Sequence, residues 1–192
     1  DGKRIVTGSK DGRARIWAAK DGVQDNGKTY NAGDLMAVLD DAKTGYANAH
    51  YDADSDYWYS VNAVAFTPDG LYVATGSSDR TAKLWRAQTV GVAKIGDFVR
   101  TFDVRVAIGD PNFQTGSVNA LAFNLAGTEL ATGSIDRTVR VWNAADAALL
   151  RTMGDTNADH TPDVVHDGGV FSLCYSPDGA HIYSGSADKS VR

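Results

Sequence analysis

Four clusters of residues in this 192-residue chain have types that could do chemistry. His166, Ser184 and Asp188 could form a hydrolase triad, the imidazole taking the serine proton and the carboxylate orienting the ring. Ser184 lacks the strained strand-to-helix setting that presents such a nucleophile. Gly22-Val23-Gln24-Asp25-Asn26-Gly27-Lys28-Thr29 satisfies the phosphate-loop pattern G-x-x-x-x-G-K-T, and Leu35 to Asp40 imitates the apolar strand that ends in a magnesium-binding Asp. That chemistry needs a helix whose N-terminal amides hold the phosphates, and Tyr30-Asn31-Ala32-Gly33-Asp34 cannot sustain one. The segment reads instead as a solvated hairpin connection. Asp52-x-Asp54-x-Asp56 begins like a calcium loop, but Tyr57 stands where its Gly belongs and Ala63 where its bidentate Glu belongs. Asp155, Asp159, His160, Asp163 and His166 form a second acidic cluster without ligand spacing. No catalytic residue, cofactor site or metal site is expected from these clusters.

The elements that must position these residues follow from an internal repeat. Four segments align in register: Thr7-Gly8-Ser9-Lys10-Asp11, Thr75-Gly76-Ser77-Ser78-Asp79, Thr132-Gly133-Ser134-Ile135-Asp136 and Ser184-Gly185-Ser186-Ala187-Asp188. A tryptophan follows the Asp by six residues in three of them, at Trp17, Trp85 and Trp142. Ten residues before each Asp a turn pair begins: Asp1-Gly2, Asp69-Gly70, Ala126-Gly127 and Asp178-Gly179. Between the turns, Ala14/Ile16, Ala82/Leu84 and Val139/Val141 alternate with Arg15, Lys83 and Arg140 at the period of a strand. Upstream lie Val61/Val64/Phe66, Val118/Leu121/Phe123 and Val170/Leu173/Tyr175. Each unit is thus strand, turn, strand, turn, strand, with a fourth strand expected near Leu35 to Leu39, Phe98 to Val104 and Ala148 to Met153. Composition agrees: of 24 acidic residues only Glu129 is a glutamate, and with 20 Gly the chain favours turns over helix interiors.

These in-register signatures resemble the WD40-repeat family. The resemblance implies an all-β fold of four-stranded antiparallel blades in a β-propeller, here an open arc of about 3.5–4 blades. The units run over about 1–59 (partial), 60–116, 117–168 and 169–192 (partial). It further implies a buried network joining a His before the first strand, a Ser or Thr on the second, the turn Asp and the tryptophan indole. Carried over, its members are Thr7, Asp11 and Trp17; Thr75, Asp79 and Trp85; Thr132, Asp136 and Trp142; and His166, Ser184 and Asp188. The family's His stands four positions before the first valine of its unit. His166 fits, but Tyr57 and Gln114 hold the equivalent places, so no unit is expected to carry all four members.

What is specific to the chain lies in its long connections. The turn Asps are 68, 57 and 52 residues apart, against a family repeat of about 40–45. Residues 18–59 hold eight Asp and three Lys, and residues 153–168 four Asp with no Lys or Arg, so acidic connections sit on a mildly basic blade body. The resemblance places the Gly-Ser-x-Asp turns and the loops into the first strands on one docking face. Candidate partner-binding residues there are Lys10, Ser78, Ile135 and Ala187, then Arg80 and Arg137 after the Asps. Tyr46, Tyr51, Tyr57, Trp58 and Tyr59 add aromatic surface to an acidic loop, which either docks a partner or packs onto its own blade. The expected function is a non-catalytic protein-interaction scaffold within a larger assembly, not an enzyme and without a cofactor. The alternative is a propeller-framed enzyme or nucleotide-binding domain using Gly22–Thr29 or the acidic loops. A net charge of −5 argues against a broad nucleic-acid surface, and no apolar stretch suits a membrane helix. The single Cys174 fits a reducing, intracellular setting, cytoplasmic or nuclear. In repeat terms, further repeats from the same or another chain are expected to close the ring.

Overall fold

The computed structural model describes residues 2–41, 47–103, 116–153 and 166–192. Tyr46, Gln114, Asp155, Asp159, His160 and Asp163 lie outside the described residues. The first sheet holds β1 (Arg4–Gly8), β2 (Ala14–Ala18) and β5 (Leu35–Leu39), with a small hairpin of β3 (Val23–Asp25) and β4 (Lys28–Tyr30) inserted before its last strand. A second small hairpin, β6 (Tyr51–Asp52) and β7 (Tyr57–Trp58), precedes the second sheet. That sheet runs β8 (Val61–Phe66), β9 (Tyr72–Ser77), β10 (Thr81–Arg86), β11 (Phe98–Asp103). The third repeats it with β12 (Val118–Phe123), β13 (Glu129–Ser134), β14 (Val139–Asn143) and β15 (Leu149–Met153). The last pairs β16 (Val170–Tyr175) with β17 (Ile182–Ser186), and the third strand expected there is a single bridge between Gly185 and Val191. All named pairings are antiparallel, and the described residues contain no helix. This is the all-β arc of small blades that the repeat predicts, not closed into a barrel.

Two-sided burial explains why the sheets stack. Ile16 and Leu39 pack with Val73 and Trp85 between the first and second sheets, while Ala74, Leu84 and Phe102 pack with Val118, Leu130 and Trp142 between the second and third. Trp142 meets Phe102 edge-on at 6.2 Å between ring centroids, a favourable arrangement of ring quadrupoles. The alternation that sets Lys83 and Arg140 opposite the apolar residues suggests a solvated face. Both are in fact buried, Arg140 to 1% exposure, because that face is covered as well.

In the first three units the glycine of the Gly-Ser turn is a close-approach residue. A Cβ on Gly8, Gly76 or Gly133 would stand 2.8, 2.7 and 2.7 Å from the Cγ1 atoms of Val61, Val118 and Val170, the first valine of the next unit. No side chain fits there, so the repeat's most regular letter encodes blade-to-blade contact rather than turn shape. Val61, Val118 and Val170 also begin strands with a register shift, leaving Asn62, Asn119 and Phe171 as bulge residues. The Asn62 side-chain amide donates to Asn119 Oδ1 of the next unit at 3.0 Å.

Candidate functional site

Each turn is built from short polar side chains that satisfy their own backbone. In the second unit, Asp79 N–H donates to Ser77 Oγ, and Asp79 Oδ1 accepts from Thr81 N–H at 2.8 Å and the Thr81 hydroxyl at 2.7 Å. Asp136 with Thr138 and Asp188 with Ser190 repeat the pattern. The residue after the Asp must then turn with positive φ: Gly12 at 78°, Arg80 at 71°, Arg137 at 74° and Lys189 at 70°. Three bulky side chains therefore hold a backbone shape that suits glycine better.

The second unit carries a complete four-member network, which corrects the expectation that none exists. Asp79 Oδ2 lies 2.6 Å from His50 Nδ1, His50 Nε2 lies 2.8 Å from Thr75 Oγ1, and Trp85 Nε1–H donates to Thr75 Oγ1 at 2.9 Å. An ionised carboxylate only accepts, so the imidazole proton sits on Nδ1 and Thr75 donates its hydroxyl to Nε2. The hairpin β6–β7 separates His50 from Val61 and carries the His away from the expected four-residue offset. Tyr57, at that offset, instead meets Tyr59 edge-on at 5.0 Å and is 54% exposed.

The other units engage the same Asp with a His or an Arg. In the fourth, His166 Nδ1 lies 2.9 Å from Asp188 Oδ2, and Nε2 lies 2.7 Å from Ser184 Oγ. In the first and third, an arginine four residues on takes the place of the His: Arg15 reaches Asp11 at 2.7 Å and Arg140 reaches Asp136 at 2.9 Å. Trp17 and Trp142 still donate to Thr7 and Thr132, at 2.9 and 3.0 Å.

The chain Ser184–His166–Asp188 has the connectivity of a triad. Its twin Thr75–His50–Asp79 shows what the arrangement does. Thr75 is 0% and His50 1% exposed, the Thr75 oxygen is occupied by an indole, and Ser184 and His166 are likewise buried. A substrate carbonyl has no approach to either hydroxyl, and the network closes a turn.

The phosphate-loop letters fold as β3–β4 around Asn26–Gly27, both at positive φ, the signature of a two-residue hairpin turn. Asp25 faces inward and accepts from Thr89 N–H at 2.9 Å and the Thr89 hydroxyl at 2.6 Å, clasping the loop after β10. The calcium-like letters fold as β6–β7. Asp52 accepts from Asp54 N–H and the Ser55 hydroxyl, Asp56 accepts from Tyr51, and Trp58 lies tilted against Tyr51, 4.8 Å between ring centroids, and beneath the Arg13 guanidinium at 4.0 Å. The hairpin thus packs onto the first unit through Trp58 while presenting Tyr57. Beside it opens a cleft of 530 Å³ lined by Tyr51, Asp52, Tyr59, Arg80 and Lys83 among others. Lys10, Ile135 and Ala187 are exposed in their turns, and Ser78, Arg80 and Arg137 are half-buried.

Residues 1–18, 49–86, 108–143 and 162–192 match the family model described as WD domain, G-beta repeat. The chain is similar to Protein HIR1 of Yarrowia lipolytica, at 25% identity over 202 residues covering 100% of the chain and 17% of that protein. It is similar to THO complex subunit 3 of Arabidopsis thaliana, at 29% over 132 residues, 68% of the chain and 35% of that protein. Apoptotic protease-activating factor 1 of Homo sapiens is 28% identical over 116 residues, 60% of the chain and 8% of that protein. The chain therefore spans about a third or less of these relatives.

Proposed function

The chain belongs to the WD40 repeat family, whose members are generally protein-interaction scaffolds, and from that premise we propose that it is a non-catalytic docking scaffold within a multi-subunit assembly. The observation that carries the reading is a division of labour within each turn. In the second and third units the Asp, hydroxyl and indole groups with chemical potential are spent on one another inside the blade, whereas Ile135, like Lys10 and Ala187 at the equivalent turn positions, faces outward. Lys10, Ser78, Ile135 and Ala187, with Arg80 and Arg137, form the docking face, and β6–β7 adds Tyr57, Trp58 and Tyr59 at its edge. A relative named as a THO complex subunit supports a place in an assembly. The exposed, unpaired Cys174 supports an intracellular setting, cytoplasmic or nuclear.

Affinity capture from a lysate, with the intact chain and with residues 51–58 replaced by a short Gly-Ser linker, tests this reading. Because Tyr51 pairs with Trp58, a short linker closes the gap and leaves His50 in place. Loss of a subset of partners is expected. An unchanged set would remove the hairpin from the interface, and no specific partner for the intact chain would remove the scaffold reading itself.

A further inference from the structure

Independently of the scaffold reading, we infer that Asn26 is a modification site: its side chain closes on the Gly27 nitrogen to a succinimide, and the isoaspartate that follows unlatches the β3–β4 hairpin from the second unit. Asn26 is the one asparagine of the chain that precedes a glycine. Both residues are exposed at the tip of the hairpin, with φ of 48° and 77°. Neither the Asn26 carboxamide nor the Gly27 N–H has a hydrogen-bond partner among the described residues. A Cβ on Gly27 would meet nothing within 4 Å, so no neighbour holds the tip against the rotation that brings the two groups together. Glycine also leaves the attacking nitrogen without a flanking side chain. Asp11, Asp21, Asp69 and Asp178 precede glycines too, but each carboxylate accepts from a backbone N–H and, being ionised, is a poor electrophile.

In the reaction the Gly27 amide gives its proton to water and its nitrogen attacks the Asn26 side-chain carbonyl carbon. The new C–N bond closes the ring, the Cγ–Nδ2 bond breaks, and the displaced nitrogen takes up a proton and leaves as ammonia. Water then opens the succinimide, giving an aspartate by attack at the side-chain carbonyl and an isoaspartate by attack at the main-chain carbonyl. The base of the hairpin is fixed where its tip is not: Val23 and Tyr30 are buried in the first core, and Asp25 clasps Thr89. Either product places a negative charge beside Asp25. Isoaspartate also lengthens the main chain inside a two-residue turn closed by the pair Asp25 and Lys28, a turn whose shape depends on its length. The longer turn displaces Asp25 and loosens its bonds to Thr89.

Ageing the intact chain at pH 8 and at pH 6, with mass mapping of the tryptic fragment 21–28 and measurement of released ammonia, tests the site. Ammonia separates the reaction from isomerisation at Asp21, which releases none. Asn26 is expected to convert mainly to isoaspartate, at least tenfold faster at pH 8 than at pH 6, and within tenfold of its rate in the urea-unfolded chain. Amide hydrogen exchange at Thr89 and Ile95 should become at least tenfold faster in the aged protein than in fresh protein. Asn26→Asp, which supplies the charge without the longer main chain, should give less than half of that acceleration. A folded-state rate more than tenfold below that of the unfolded chain would show that the turn protects Asn26 and would overturn the site. Unchanged exchange at Thr89 and Ile95 after conversion, or equal acceleration in Asn26→Asp, would overturn the unlatching.

Discussion

Asp79 and Asp136 hold one position in consecutive units yet meet different partners, and this gives the units different acid sensitivity. Asp136 pairs with a guanidinium, which keeps its charge across physiological pH. Asp79 pairs with His50, whose imidazole is held below its ordinary value by burial, against the raising influence of Asp79. Burial raises the Asp79 carboxyl, but the hydrogen bond and charge of His50, with Thr81, outweigh it and hold the group below the carboxylate range. Both depressed values mean that the fold resists protonation. Stability from His50 is complete above its unfolded value of about 6.5 and is lost as pH falls below it, and that from Asp79 is lost below about 4. The urea midpoint is expected to hold from pH 8 to 7 and to decline from 6.5 to 5, with the decline reduced in His50→Gln. A midpoint constant from pH 8 to 5 would refute this role for His50. Thr75→Val leaves a buried indole N–H and an imidazole nitrogen unpartnered and should cost about 1–3 kcal/mol in the same titration, whereas Thr7→Val, on an exposed strand where water can substitute, should cost less. Thr75, Asp79 and Trp85 are legible as network members through the family resemblance that their repeat positions carry, but His50 is not. An inserted hairpin breaks the fixed offset, and the remaining clue is that His50 is the sole histidine before residue 160.

Strands and turns were the most legible level, because Pro-Asp-Gly and Gly-Ser-x-Asp turns bound alternating runs whose period admits little else. The reason for the glycine lies between elements and cannot be read from one repeat. Gly76→Ala would force its new methyl against Val118 Cγ1, at a cost of about 1–3 kcal/mol for overpacking. Val118→Ala should return part of that loss, so the double mutant is expected to be less unstable than the sum of the singles. Strict additivity in urea unfolding would mean that the contact does not couple the blades. Equally hidden is the clasp of β3–β4 on the next unit, since the phosphate-loop letters say nothing of a partner 64 residues away. Asp25→Ala should lower stability by about 1–2 kcal/mol and accelerate amide hydrogen exchange at Thr89 and Ile95, whose N–H groups donate to Asp25 and to the Thr89 hydroxyl. Unchanged exchange at those amides would show that the loop is held by other contacts.

Across the whole molecule, the second and third sheets show how much cover a blade face needs, and the outer faces of the first and last do not have it. Trp85 and Trp142 are 0% and 3% exposed beneath a preceding sheet, whereas Trp17 is half-buried and Ile5 is 52% exposed. At the opposite end Tyr183 is 48% and Val191 76% exposed, beside a cleft of 420 Å³ that also includes Phe171 and Ala187. A Cβ on Gly8, Gly76 or Gly133 would collide with a valine of the following unit, but one on Gly185 would meet Ser172 of its own unit. We therefore propose that another sheet, from the same polypeptide or a partner, covers each face. Residues 1–192 expressed alone should bind an apolar-surface dye and self-associate with rising concentration in sedimentation velocity. Lys substituted for Ile5 and Val191 should suppress both, because a charge on each face removes the apolar match without touching the covered interfaces. A dye-negative monomer at all concentrations would mean that these faces are stable in water as they stand, and that no further blade is needed to complete the arc.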